Sequence, residues 1–391
     1  MRLTPSPEQA GFRATLHDLL TAADVPSAAA RWADGDTTPG RAIWSRLAAA
    51  GVTGLIVPER WGGAGAGAAD LVIACEELGH HALPGPVAES IAAVPALLAA
   101  LADDGPEDDR AADKWLPELA AGRIIATLAA PPWLPRAADA DATDLVLLAE
   151  PGVVRLARTG AVHASMDPTR RLAEVSAAGT LAAGPATRTA VAHALNLGAL
   201  ACAAQLLGAG HALLEAAVAH AKTRSQFGRP VGSFQALQHR LADVAVGLEF
   251  ARPLLYAAAT AISATPGAAS GATPGDAPGA ASRDAPGAPF GGAPGAASRD
   301  APGAPFGGAA GPAPSGAAAS AGSAARDVSA AKVACGEAAH RAARAALQVH
   351  GAIGYTREHG LGRWLTKVRV LTLAWGTPAQ HRARVMAELT R

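Results

Sequence analysis

The fold is decided by residues 224–243, which read RSQFGRPVGSFQALQHRLAD. Gly228 and Pro230 predict a turn that ends one helix, and Ser233 is a candidate N-cap for the helix that follows. The turn brings together four side chains with ligand-binding chemistry: Arg224, Gln226, Phe227 and Gln235. A guanidinium suits a pyrophosphate, an amide suits an adenine or ribose edge, and a phenyl ring stacks on a base. A purely structural turn is the alternative interpretation of the same residues.

Two apolar stripes C-terminal to this turn have helical periodicity, the first directly after the turn and the second nearer the end of the given sequence. One apolar stripe at three-four spacing consists of Leu237, Leu241, Val244, Leu248, Ala251 and Leu255. A second stripe consists of Val328, Ala331, Cys335, Ala338, Ala342, Ala345 and Val349. This spacing places each set on one helix face. It predicts two long helices that pack against each other and against the helix before the turn.

The helix before the turn is unusually free of charge. Residues 189–214 contain no Asp, Glu, Lys or Arg, and the stretch is long enough to cross a bilayer. It nevertheless contains His193, Asn196, Gln205 and His211, and it is richer in Ala and Gly than in Leu and Ile. We interpret it as a buried helix of a bundle and predict no membrane span.

Composition excludes several classes of protein. The 33 Lys and Arg residues balance 33 Asp and Glu residues, which argues against a broad nucleic-acid-binding surface. Cys75, Cys202 and Cys335 are far apart, so we expect neither a disulfide framework nor a zinc site, and we assign no metal ligands. Residues 1–30 lack a basic segment followed by an apolar one, so we expect no signal peptide and a cytoplasmic location.

The remaining segments suggest three domains. Residues 1–122 contain Ala- and Leu-rich helical segments, and Asp70 is a candidate cap for one of them. Short apolar runs separated by turn residues predict a small β domain at 123–185. Residues 186–391 form the helical domain. It is interrupted at 263–325 by Ala, Gly, Pro and Ser with a tandem repeat of period 16, which we interpret as a disordered insertion.

A second motif, QVHGAIGYT at residues 348–356, predicts a helix that stops at a glycine-rich turn. Together with residues 224–243, this segment resembles the FAD-contacting segments of acyl-CoA dehydrogenases, although Ala352 replaces the usual second glycine. Residues 51–79 resemble the N-terminal helical domain of the same family. The resemblance covers residues 40–102 and 186–391, apart from the insertion.

The resemblance implies a mainly α fold, with an N-terminal helical domain, a small middle β domain and a C-terminal four-helix bundle. It implies FAD as cofactor, an acyl-CoA thioester as substrate and an electron-transfer acceptor as partner. It also implies that bundle domains of neighbouring subunits share the FAD site. The cofactor-binding residues carried over from it are Arg224, Ser225, Gln226, Phe227, Phe234, Gln235, Gln348, Gly351, Ala352 and Thr377.

One departure from the family pattern concerns catalysis. Residues 373–382 read LAWGTPAQHR, and Trp375 stands where most members carry the glutamate that removes the substrate α-proton. An indole has no basic lone pair. Some relatives place the base on the preceding helix instead, at a position that falls near Gly198, and Glu215 lies too close to the first motif to match it. We therefore assign no catalytic residue.

Three functions remain open. The first is a subunit that works with an unlike acyl-CoA dehydrogenase-like subunit, in a heterotetramer, and takes the base from it. The second is a self-sufficient homo-oligomer with a displaced base, and the third is a non-catalytic binding or scaffold subunit. Residues 165–172, SMDPTRRL, resemble a segment of divergent actinobacterial members, some of which act as unlike pairs in sterol degradation. We therefore expect a bulky acyl-CoA from lipid or sterol catabolism.

Several other polar residues are candidates for surface positions or for contacts with a ligand. We interpret His80 and His81 as a surface or interface pair, and the adjacent Glu76 and Glu77 as a solvated helix face. His350 has either a structural role or a contact with cofactor. Three basic residues are surface charges or contacts for a CoA phosphate: Arg363, Lys367 and Arg369.

Overall fold

The computed structural model describes residues 5–102, 110–264, 316–356 and 359–390. Its N-terminal part is helical, as predicted. The helices are α1 (Pro7–Thr21), α2 (Val25–Ala33), α3 (Thr38–Ala49), α4 (Ala68–His80), α5 (Val94–Ala100), which continues a π-helical turn at Ala88–Ala93, and α6 (Ala111–Ala120). The predicted cap at Asp70 is wrong by one turn. Gly67 is the N-cap of α4, and its amide donates to the Asp70 carboxylate at 3.2 Å.

The middle part contains a single five-stranded sheet. Its strands are β1 (Ala126–Ala129), β2 (Ala137–Ala138), β3 (Leu145–Glu150), β4 (Val153–His163) and β5 (Leu172–Ala183). Their order is β1-β3-β4-β5-β2, and only the β1–β3 pair is parallel. The apolar runs predicted a small β domain here, and the sheet occupies that region. The short strand β2 gave no signal, because two alanines have no periodicity.

The C-terminal part is built on three long helices, α7 (Pro185–Thr223), α8 (Gln235–Ser263) and α9 (Gly316–His350), which pack on one another as predicted. A two-stranded hairpin, β6 (Ser225–Gln226) and β7 (Arg229–Pro230), joins α7 to α8, and α10 (Gly362–Leu373) and α11 (Pro378–Leu389) follow α9. Small residues permit this packing. A Cβ at Gly208 would overlap the Glu76 carbonyl oxygen of α4, and one at Gly210 would lie 2.6 Å from Leu248 of α8.

The apolar helix α7 is the centre of this core. It is long and apolar enough to cross a membrane, but 89% of its most apolar window is buried inside the protein. Helix α8 passes the same test with 39% of its window buried, and Val246, Phe250 and Leu254 form an exposed apolar stripe along it. The prediction of α7 as a buried bundle helix is confirmed.

Two predicted boundaries need correction. Helix α9 begins at Gly316, inside the predicted insertion at 263–325, and residues 265–315 lie outside the described part of the chain. Ser233 is not the N-cap of α8. The helix begins at Gln235 after Phe234, and the Ser233 hydroxyl instead donates to the Pro230 carbonyl at 2.7 Å.

Candidate functional site

The hairpin between α7 and α8 presents the first motif to solvent. Phe227 occupies the tip with a left-handed φ of 53°, followed by Gly228 at 77°, and its side chain is 91% exposed. Its ring lies edge-on to Phe234, with centroids 6.2 Å apart, and the Arg229 guanidinium lies 4.1 Å from the Phe234 centroid. Such exposure of a large aromatic side chain, next to a guanidinium, is typical of a surface that binds a ligand or another subunit.

The second motif forms a turn at the end of α9. Gly351 has a φ of 64°, and a Cβ there would meet nothing within 4 Å. A cavity of about 520 Å³ lies over this turn and is lined by Arg344, Leu347, Gln348, Gly351, Ala352 and Tyr355. The backbone is therefore open to close approach by a ligand.

A histidine pair brings the two motifs to the same end of the bundle. His220, in the last turn of α7, stacks on His350, in the last turn of α9, with ring centroids 4.3 Å apart. Burial lowers the pKa of His350, and its Nδ1 donates to the Ala346 carbonyl at 2.8 Å. His350 therefore has a structural role in holding the ends of α7 and α9 together.

Taken together, this end of the bundle fits the adenosine and pyrophosphate parts of FAD. The predicted residues Arg224, Ser225, Gln226 and Gln235 are exposed, and the glycine backbone at residue 351 is unobstructed. These groups point outward rather than into a cavity of their own chain. Such an arrangement suits a cofactor held between two subunits.

Trp375 lies between α10 and α11 and is 1% exposed. It adopts a left-handed φ of 59°, which is strained for a residue with a large side chain. Its indole packs directly on α7, where a Cβ at Gly198 would overlap Cζ3 and lie 2.6 Å from Cε3. The two residues that the sequence predicts at or near the family's base positions, Trp375 and Gly198, are therefore in contact.

Two cavities meet at Trp375 and Trp133, which line both. The smaller, about 160 Å³, is also lined by Ala192, Leu195, Ala199, His381 and Arg384. The larger, about 430 Å³, is lined mainly by apolar residues and by Arg136, Arg170 and Arg369. Among the described residues that line these two cavities, none is Asp or Glu. The larger cavity thus suits an apolar group with an anionic or carbonyl end.

His381 is the one histidine among the described residues that line these cavities, so its protonation matters. Its Nε2 lies 2.9 Å from the Trp375 carbonyl, which only accepts, so Nε2 carries the proton. Its Nδ1 then accepts from the Ser329 hydroxyl at 3.1 Å. Burial lowers the pKa of His381 to about 4. The one lone pair left on the ring, at Nδ1, is hydrogen-bonded and weakly basic. His381 therefore holds the Trp375 backbone instead of acting as a base.

Thr377, predicted to contact cofactor, is the N-cap of α11. The backbone amide of Gln380 donates to the Thr377 hydroxyl oxygen at 3.3 Å. In return, the backbone amide of Thr377 donates to Oε1 of Gln380 at 2.7 Å. Gly376 between Trp375 and Thr377 has a φ of 95°, and a Cβ there would lie 2.5 Å from the Trp133 ring. The glycine therefore allows the loop between β1 and β2 to pack on this turn.

A buried ionic network beneath the larger cavity was not predicted. The Arg170 guanidinium lies 3.4 Å from Glu89, and Lys367 lies 3.6 Å from Asp167. Lys367 also donates to the Leu83 carbonyl at 2.9 Å, so its assignment as a surface charge or phosphate contact is wrong. Burial raises the pKa of nearby Asp139 to about 6. The sequence signal for this network is the segment at 165–172, where Asp167 begins a turn and Arg170 ends it, with its amide donating to the Asp167 carbonyl at 3.0 Å.

The assignment of Glu76 and Glu77 to a solvated helix face is also wrong. Both carboxylates are buried, because α4 is packed between α1 and α7. Glu76 is paired with Arg13 and Arg252, each at 2.8 Å, and Glu77 lies 3.1 Å from Nδ1 of His17. His80 and His81 lie beside them and are only partly exposed.

Two family models match this chain. The model of the acyl-CoA dehydrogenase N-terminal domain matches residues 6–123, and that of the C-terminal domain matches residues 188–275 and 315–390. The chain belongs to the acyl-CoA dehydrogenase family. Acyl-CoA dehydrogenases are flavin-dependent oxidoreductases that act on CH–CH groups, so the predicted family and fold class are confirmed.

Named relatives agree with this assignment. The acyl-CoA dehydrogenase IpdE2 of Mycobacterium tuberculosis is 36% identical over 256 residues, 65% of this chain and 76% of that protein. The ChsE4–ChsE5 complex of the same organism has the same fold, with a TM-score of 0.72 at 21% identity, over 100% of this chain and 99% of that one. A variant of the steroid acyl-CoA dehydrogenase Tcur3481–Tcur3483 has a TM-score of 0.70 at 20% identity, over 98% of both chains.

Proposed function

We propose that this acyl-CoA dehydrogenase family member is one subunit of a heteromeric enzyme and that an unlike partner supplies the catalytic glutamate. The observation that carries the proposal is the contact between Trp375 and Gly198. An indole occupies one base position and, by its bulk, excludes any side chain from the other. No carboxylate among the described residues lines the adjoining cavities, which supports a base supplied by another subunit.

The displaced-base alternative has little support from the remaining titratable groups. His381 is hydrogen-bonded through both ring nitrogens. Glu89 lies 3.4 Å from the Arg170 guanidinium, and Asp167 lies 3.6 Å from the Lys367 ammonium, so both carboxylates belong to the buried ionic network. A catalytic base needs a lone pair within hydrogen-bond reach of the substrate proton, and neither carboxylate is part of the described lining of the two cavities at Trp375.

The exposed end of the bundle would hold part of a partner's FAD. Arg224 suits the pyrophosphate, Gln226 and Gln348 suit the adenosine, and the bare backbone at Gly351 permits close approach. FAD, when bound, accepts a hydride from the β-carbon of the acyl-CoA as the α-proton is removed. The role of this chain is then to complete the cofactor site and to shape the acyl pocket. The flavin would in turn be reoxidised by an electron-transfer acceptor.

We infer the substrate class from the larger cavity. Its volume of about 430 Å³ and mainly apolar lining suit a bulky acyl group, such as a sterol-derived acyl-CoA. The steroid acyl-CoA dehydrogenase among the structural neighbours agrees with this choice. We also propose a cytoplasmic location for the enzyme.

Co-expression tests the proposal. The chain is purified alone, and again together with an acyl-CoA dehydrogenase-like protein encoded beside it, and visible spectra and acyl-CoA oxidation are measured. We expect flavin absorbance and activity in the pair, and neither in the chain alone. A chain that is yellow and active by itself would establish the homomeric alternative. Absence of flavin in every preparation would indicate a non-catalytic subunit.

A further inference from the structure

Three histidines and a glutamate converge on one spot between α1 and α4, and none of them is a residue assigned to FAD. His17 lies on α1, Glu77 and His80 lie on α4, and His81 caps α4. Residues three and four apart share a helix face, so Glu77, His80 and His81 all face α1. One ligand atom from each of the four residues lies within 4.8 Å of the others.

The spacing of these atoms matches a metal coordination shell. Nδ1 of His17 lies 3.1 Å from Oε2 of Glu77 and 3.4 Å from Nε2 of His81. Zinc binds imidazole nitrogen at roughly 2.0–2.1 Å in a tetrahedron, whose edge is then about 3.3 Å. Three of the four ligands are therefore close to coordination distance without any movement of the backbone.

The hydrogen bonding of His80 also favours metal binding. His80 places Nε2 2.9 Å from the Glu215 carboxylate, whereas its Nδ1 is buried and has no hydrogen-bond partner among the described residues. A carboxylate that accepts from one ring nitrogen fixes the tautomer and frees the other nitrogen for a metal.

Charges around the cluster are mixed. Burial lowers the pKa of His80, but Glu215, Glu77 and Glu76 together raise it more and the net shift is upward, so a metal ion competes with a proton there. Burial lowers the pKa of His81, and the nearby Arg363 guanidinium lowers it further. Arg13 is held by Glu76 at 2.8 Å and lies 3.8 Å from Oε1 of Glu77, away from the oxygen that faces His17.

We propose that His17, Glu77, His80 and His81 bind one divalent transition-metal ion, with Glu215 as the outer partner of His80. Imidazole and carboxylate ligands select zinc, nickel, cobalt or copper over magnesium or calcium. The ion joins α1 to α4, and through Glu215 it joins both to α7. Its role is structural, because these residues are not part of the described lining of either cavity that adjoins Trp375.

Zinc titration of the full chain tests the site. The protein is stripped with a chelator, and Zn²⁺ affinity is measured by competition with a chromophoric chelator. We expect one equivalent to bind, His17→Ala and His81→Ala each to weaken binding at least about 100-fold, and Glu215→Gln to weaken it about 10- to 100-fold. The His17 side chain is 45% exposed, so its variant should fold, and circular dichroism checks that it does.

Two control variants separate this site from other histidines. His340→Ala removes an exposed histidine on α9 and should leave the affinity unchanged. His220→Ala breaks a second histidine group, with His350 and His359, whose ligand atoms also lie within 4.8 Å of one another. The proposal is overturned if no zinc binds, or if His220→Ala abolishes binding while His17→Ala and His81→Ala do not.

Discussion

Replacing Gly198 with alanine tests the contact on which the functional proposal depends. In an exposed helix this change stabilises by about 1 kcal/mol. At residue 198 the new methyl would overlap the buried Trp375 ring, and overpacking a core costs about 1–3 kcal/mol. The ring is rigid and 1% exposed, so we take the upper part of that range. The net result is a loss of about 2 kcal/mol in the free energy of unfolding.

Denaturant unfolding of the flavin-free protein measures this loss. Gly11→Ala on α1 is the matched control, because a Cβ there meets nothing within 4 Å, and it should raise the midpoint. Adding Trp375→Leu to Gly198→Ala makes room for the methyl, so the two changes should be non-additive by about 1–3 kcal/mol. If Gly198→Ala stabilises the protein as Gly11→Ala does, the indole does not occupy this space and the reasoning fails.

Three further predictions follow from other contacts. Lys367→Met leaves Asp167 buried without its cation and should cost about 3–5 kcal/mol, measured by denaturation, whereas Lys222→Met at the end of α7 should cost little. The folded pKa of His381, about 4, lies below its ordinary 6.5, so its stabilising contribution is present above pH 6.5 and is lost as the pH falls towards 4. His381→Asn should flatten the pH dependence of the unfolding midpoint over that interval, and an unchanged slope would contradict the assigned burial. Arg224→Ala should lower the flavin content of the heteromeric enzyme without changing the melting temperature of the isolated chain, whereas Arg158→Ala on β4 should change neither.

Much of the fold could be predicted from sequence because its signals are local. The stripes on α8 and α9 repeat at helical spacing, and the turn at Gly228 and Pro230 separates α7 from α8 as expected. Strand β2 and the start of α9 at Gly316 could not be placed, because alanine- and glycine-rich segments carry little periodicity. Ser233 shows the same limit, since a hydroxyl near a helix start can bond to a preceding carbonyl instead of capping.

The candidate site likewise has parts that the sequence reveals and parts that it does not. The motifs at 224–243 and 348–356 could be found from sequence because each is a short contiguous pattern. The contact between Gly198 and Trp375 joins residues far apart in the chain, and no local pattern reports it. Glu76 and Glu77 were misplaced for a related reason, since the sequence of α4 does not reveal that α1 and α7 cover its acidic face.

The packing of Trp375 on Gly198 also bears on how reversible the loss of a base would be. A glutamate introduced at residue 198 would meet the indole before it could reach a substrate, and it would be excluded. A glutamate introduced at residue 375 would leave a void against the glycine where the indole had been. Neither substitution alone would place a working base in the site at low cost to stability. Both residues would have to change together. On the proposed function, the packing of this one side chain would make dependence on a partner difficult to reverse by a single substitution.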